Sequence, residues 1–162
     1  MAHSPWSRYV VYRQKHLLIM SSRADPDSYP YSELLIKAIN REEPSAAARP
    51  ARAQDLNRCY DLVATDQMQF MLLPSSVTTE MLGGQGGFAD KDPLPIKVLY
   101  EFGDLTLSVR NDVDANIVRT ITFAILEQLG SLPNASSPQA MLNVKNVHVD
   151  SLTAITTFLA NS

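Results

Sequence analysis

The sequence predicts an α/β fold: a single lobe with a mainly parallel sheet and helices packed on it. Short apolar runs of strand length alternate with segments of helical period, the pattern of sheets built from parallel pairs. The clearest joint lies where a β-type run ends in Val109-Arg110-Asn111-Asp112 and a helix follows. That helix carries Ile117, Val118, Ile121, Ala124, Ile125 and Leu129 on one face. Finally, 162 residues with 45% hydrophobic and 19% charged side chains make one domain with a real core rather than a disordered chain.

Residues 1–14 read as an irregular tail or linker, and residues 15–162 as the lobe. The run HLLIMSS at 16–22 has the length of a buried strand, and 23–30 is rich in turn formers. Residues 31–40 place Leu34, Leu35, Ala38 and Ile39 at helical spacing, with Glu33 one turn before Lys37. A weak strand is expected at 45–51. A helix over 54–64 follows, with Leu56, Cys59, Leu62 and Val63 near one face. The run at 67–73 is a strand closed by Pro74; 75–82 is a short helix and 83–95 a flexible Gly/Pro loop. Strands at 96–102 and 105–109 are parted by Gly103-Asp104. The helix over 114–129 has Asp112 and Asp114 at its positive end and Gly130 as its stop. A loop at 131–138, a strand-like 146–149 and a helix over 150–159 complete the chain.

Several function classes fall away. The net charge of −3 brings no basic stripe, and Arg49, Arg52 and Arg58 form a local patch, so nucleic acid is not an expected partner. The single cysteine, Cys59, excludes an intrachain disulfide. No apolar run approaches the ~18 residues of a membrane span. His3, His16 and His148 lack ligand spacing, so neither a metal nor another cofactor is expected. There is no G-x-S-x-G and no cysteine beside a histidine motif, so the chain reads as no enzyme and no catalytic residue is assigned. The glycines from Gly84 to Gly87 lack the Lys and Ser/Thr of a phosphate loop. The phrase YDLVATD at 60–66 echoes a receiver domain, but Ser21 and Ser22 stand where its acidic pair belongs.

In parallel sheets the crevice outside the carboxyl ends of the strands is where ligands sit. That makes Ser21, Ser22, Ser75 and Ser76 the candidate ligand contacts, with Tyr29 and Tyr31 flanking Pro30 beside them. Hydroxyls and free N–H groups at helix starts suit a carboxylate, although helix capping is the commoner use of any single serine. Arg49 and Arg52 could offer a fork of donors, against the commoner reading of an exposed, solvated pair.

The order of these segments also resembles TAXI-type solute receptors, which feed TRAP transporters. The shared wording is Tyr29-Pro30 after the first strand, Ala38-Ile39-Asn40, Asp55-Leu56-Asn57, the polar turn Leu72-Leu73-Pro74-Ser75-Ser76 and the loop Gly84-Gln85-Gly86-Gly87-Phe88. It continues in the strand at 96–100, the helix after Val109-Arg110-Asn111-Asp112 and the last helix start near His148. Two departures stand out: the family's second lobe, due between the strand at Tyr100 and the closing helix, is missing, and residues 21–30 hold no glycine. The resemblance therefore implies a fold similar to domain I of a periplasmic solute-binding protein, with the second lobe deleted. It implies a non-enzymatic receptor-like domain, periplasmic or membrane-anchored facing the periplasm, with any export signal or anchor cut away. A small carboxylate or amino acid is the implied ligand, for transport or sensing, and a transporter membrane subunit or a homodimer the implied partner. The alternative is a protein-interaction or sensory module that has lost solute binding and uses the lobe for docking or dimerisation. Tyr29, Tyr31, Pro74 and Phe88 are the expected apolar contributors to its open strand-end face.

Overall fold

A computed structural model describes residues 16–162; the tail expected at residues 1–14 lies outside them, as does residue 15. The chain runs β1 (Leu18–Ser22), α1 (Ser28–Glu42), β2 (Arg49–Ala53), α2 (Leu56–Ala64), β3 (Phe70–Pro74) and α3 (Ser75–Gly83). It continues through β4 (Ile96–Phe102), β5 (Leu105–Arg110), α4 (Ala115–Glu127), α5 (Pro138–Met141) and α6 (Val149–Ala160). The strands form one five-stranded sheet in the order β2-β1-β3-β5-β4. β1 pairs parallel with β2 and β3, whereas β5 runs antiparallel to both β3 and β4. Four strands therefore end at the same edge of the sheet, and only β5 starts there.

The period-two alternation of β3 explains the layers. Phe70 and Leu72 enter a core with Ile19, Leu107, Leu35, Ile121 and Ile155, so α1, α4 and α6 cover that face. Met71 and Leu73 enter the opposite core with Met20, Cys59, Val63 and Met81, beneath α2 and α3. A strand buried on both sides reads as a continuous apolar run, which is why 70–73 contains no polar residue. The α4 face is buried at Ile117, Val118, Ile121, Ala124 and Ile125, and Leu129 packs partly buried against the same core.

Both sheet edges are protected, by different means. β2 exposes Arg49, Pro50 and Arg52, charge and a missing donor that discourage further strand pairing. The β4 edge is instead covered by the chain before α6. Ser136 N–H donates to Glu101 O at 3.0 Å, Val98 N–H to Asn146 O at 2.8 Å, and His148 N–H to Val98 O at 2.8 Å.

Element boundaries differ from expectation where local chemistry outweighs periodicity. α1 starts at Ser28 and takes Pro30 into its first turn, where a missing N–H costs no intrahelical bond. The strand expected at 45–51 is displaced to Arg49–Ala53, because Pro44–Ala46 forms a 3-10 turn. α4 ends at Glu127, and Gly130 lies inside the 3-10 turn Leu129–Ser131 rather than serving as a left-handed stop. The loop expected at 131–138 leads into a short helix that begins on Pro138, with Ser137 Oγ accepting Ala140 N–H at 3.1 Å. The strand expected at 146–149 is reduced to a single bridge between Val98 and Val147. Asp114 caps α4 by accepting Asn116 N–H at 2.8 Å, and Asp112 pairs with Arg110 at 3.1 Å.

Ile121 is fully buried between α4 and the sheet. Ile121→Ala should cost about 2–5 kcal/mol as a large-to-small core change. Urea denaturation checks it: an unaltered midpoint would refute this packing.

Candidate functional site

The carboxyl ends of β1, β2, β3 and β4, the starts of α1 and α3 and the turn Gly103-Asp104 share one edge of the sheet. The turn needs its glycine: Gly103 has φ +62°, and an added Cβ would lie 3.2 Å from Asn134 Cβ. Asp104 O accepts Ser75 N–H at 2.7 Å, which fixes the hairpin turn to the first residue of α3.

The six serines and tyrosines expected at this edge occupy different surroundings. Ser21 and Ser22 are fully buried. Among the described residues neither the Ser21 hydroxyl nor that of Ser28 in α1 has a partner, whereas Ser22 Oγ accepts Ala24 N–H at 3.0 Å in a local turn. Tyr29 is half-buried and carries the Arg52 guanidinium 4.3 Å from its ring centroid, so Arg52 is engaged on an aromatic face. Tyr31 donates its hydroxyl to Pro133 O at 2.7 Å and packs its ring 5.1 Å from that of Phe102. Ser75 Oγ lies 2.7 Å from Thr106 Oγ1 and 3.5 Å from Glu101 Oε2, while Ser76 is exposed.

Two concavities take up only two of these residues, Tyr31 and Ser75; Ser21, Ser22, Tyr29 and Ser76 line neither. An open groove of about 750 Å³ lies between the start of α1 and the β4–β5 turn, with Tyr31, Phe102 and Leu105 in its wall and Asp27, Asp104 and Asn134 around them. A smaller cleft of about 180 Å³ sits beside α3, where Ser75, Thr79, Glu101, Thr106 and Lys145 meet. Tyr31 belongs to the first and Ser75 to the second. Neither cavity gathers all six. Asp27, Phe102, Asp104 and Asn134 escaped the sequence reading, although Gly103-Asp104 between two strands was a legible sign of a turn at this edge.

Phe88, expected on the open face, is instead buried. It stacks on Tyr60 at 5.7 Å within the core beneath α2 and α3. The loop at 83–95 is pinned there too: Leu94 N–H donates to Met81 O at 2.9 Å and Tyr60 hydroxyl to Asp92 O at 2.5 Å. It is a packed connection, away from the groove lined by Tyr31.

One donor at the α1 mouth, the Ser28 N–H, is already engaged. Asp25 Oδ2 accepts Ser28 N–H at 2.7 Å, and Asp27 adds a second carboxylate there. Burial pushes the Cys59 thiol up to about 12, which leaves it protonated and unreactive near neutral pH. Burial likewise raises the Tyr31 phenol well above its usual value. Among the described residues no group of three or more His, Cys, Asp or Glu side chains could hold a metal ion. Among them, too, no helix is long and apolar enough to cross a membrane. Neither a protein-family model nor a curated protein matches this chain.

His148 caps α6, its Nδ1 accepting Asp150 N–H at 3.0 Å. Only a neutral imidazole can accept there, and burial lowers the His148 pKa, against the opposing pull of Asp150. Arg119 holds that carboxylate at 3.0 Å. The unfolded chain therefore binds this proton more readily than the folded one. The cap's contribution is complete above the unfolded value of about 6.5 and declines as pH falls through it towards the lowered folded value. Urea midpoints between pH 7.5 and 5 should fall, and His148→Asn, a cap without that titration, should flatten the slope. An equal slope in both proteins would contradict this role.

Proposed function

We propose that this chain is a non-enzymatic receptor-like lobe that holds a small solute of the amino-acid class at its strand-end face. The TAXI-type resemblance implies that setting: a domain outside the cytoplasmic membrane, serving transport or sensing. The single observation behind the reading is the groove at the end of β4, in the crevice where open α/β sheets hold ligands. Its aromatic wall is preorganised, since Tyr31 is held at both its hydroxyl and its ring. A fixed side chain loses little freedom when a solute binds.

The resemblance puts the missing second lobe between the strand at Tyr100 and the closing helix, a stretch that here includes the two-residue turn Gly103-Asp104. On this reading the face that a second lobe would close over is left open. One lobe buries less of a solute than the 70–90% typical of a closed pocket, so affinity should be weak. The second reading, a docking or dimerisation module, draws on Leu34, an apolar side chain 40% exposed at the groove.

Titration of isotopically labelled protein with amino acids, followed by NMR, tests the proposal. Millimolar ligand should shift the amides of Tyr31, Gly103, Leu105 and Asn134. Shifts confined to other surfaces, or no shifts at all, would overturn it. A concentration-dependent rise in mass with those same amides shifting would favour the docking reading instead.

A further inference from the structure

Resting on the reading of the strand-end face as a solute site, we infer that the groove takes the ammonium end of its ligand. Its ligands are small primary amines with a short apolar body, monocarboxylic amino acids among them, rather than acids that lack an ammonium.

Charge is the first reason. Asp27 and Asp104 line the groove, and among the described residues no Lys, Arg or His lines it with them. Both residues are exposed, and neither carboxylate has a hydrogen-bond or ion-pair partner among the described residues, so their charge faces water and any solute. The opposing influence is the positive end of α1, equivalent to about half an elementary charge. Asp25 already caps that end, and with Asp27 the two carboxylates outweigh it. An incoming carboxylate would meet like charges, while an ammonium would meet opposite ones. Arg52, at the end of β2, is engaged on the Tyr29 ring and offers no counter-charge within the groove.

The wall supplies the second reason. Tyr31 presents a ring whose position is fixed by Pro133 and Phe102. An aromatic face beside carboxylates attracts cations through its quadrupole, and Phe102, Leu105 and Leu34 give the attached carbon chain an apolar surface. Asn134 also lines the groove; its amide offers an acceptor and donors alike and so takes no side between the two ligand classes.

The test uses the full chain and chain-length-matched probes. NMR titrations with n-butylamine and cadaverine are compared with butyrate and glutarate, in wild type, Asp27→Asn and Asp104→Asn. The amines should shift the amides of Gly103, Asp104 and Leu105, and the acids should not. Each Asn variant should weaken amine binding about two- to fivefold, the range of an exposed ion pair. Acids shifting those amides as strongly as amines, or variants binding amines unchanged, would overturn the charge assignment while leaving the face a ligand site. Silence from both probe sets would overturn the assignment and the reading beneath it together.

Discussion

One strand running against its neighbours sets the shape of this protein. β5 lies between β3 and β4 and is antiparallel to both, so β4 must reverse into β5 through two residues, Gly103 and Asp104. The reversal needs the positive φ of Gly103, and the turn is tied to α3 through Asp104 O. Phe70 and Leu72 of β3 and Leu107 and Val109 of β5 then share the core under α1 and α4. Burying such side chains is worth about 1.5–3 kcal/mol each, so this central seam outweighs any polar contact at the strand ends. The site geometry follows from the seam rather than the reverse.

The same reversal decides which chemistry the strand-end edge offers. Because β5 begins there, Thr106 comes beside Glu101 and Ser75, and a local polar network closes the cleft next to α3. Because the turn is short, Asp104 stays at the edge and lines the groove together with Asp27, beside the aromatic wall. The hydroxyls of Ser21 and Ser28 are buried close to the same edge, without partners among the described residues. An unpaired buried hydroxyl costs about 1–3 kcal/mol, so such groups are normally met by a partner or a bound water.

Much of the architecture was legible in the sequence because burial on two sides leaves unambiguous signals. The apolar run at 70–73, the alternating Leu105, Leu107 and Val109, and the face at Ile117, Ile121 and Ile125 read directly as strand, strand and helix. The edge strand β2 was displaced because its residues, Arg-Pro-Ala-Arg-Ala, carry no apolar alternation. α5 went unseen because four residues are too few to show a period. Phe88 was misplaced for a different reason. A loop rich in glycine reads as exposed, yet stacking on Tyr60 draws its aromatic residue into the core. The candidate site was legible only in part: strand ends can be located from sequence, whereas side-chain direction at those ends depends on register. Strand register buried Ser21, whereas the way each helix starts placed Tyr31 at the groove and Ser75 beside Thr106.

The central claim is that β3, β5 and β4 form one cooperative unit that holds the strand-end face in place. Native-state hydrogen exchange measures it most directly. Amides along β3 and β5, and the Ser75 N–H bound to Asp104 O, should exchange only with global unfolding, while those of the edge strand β2 open at lower free energy. If the β4–β5 hairpin exchanged independently, at a free energy well below that of β3, the account would be contradicted.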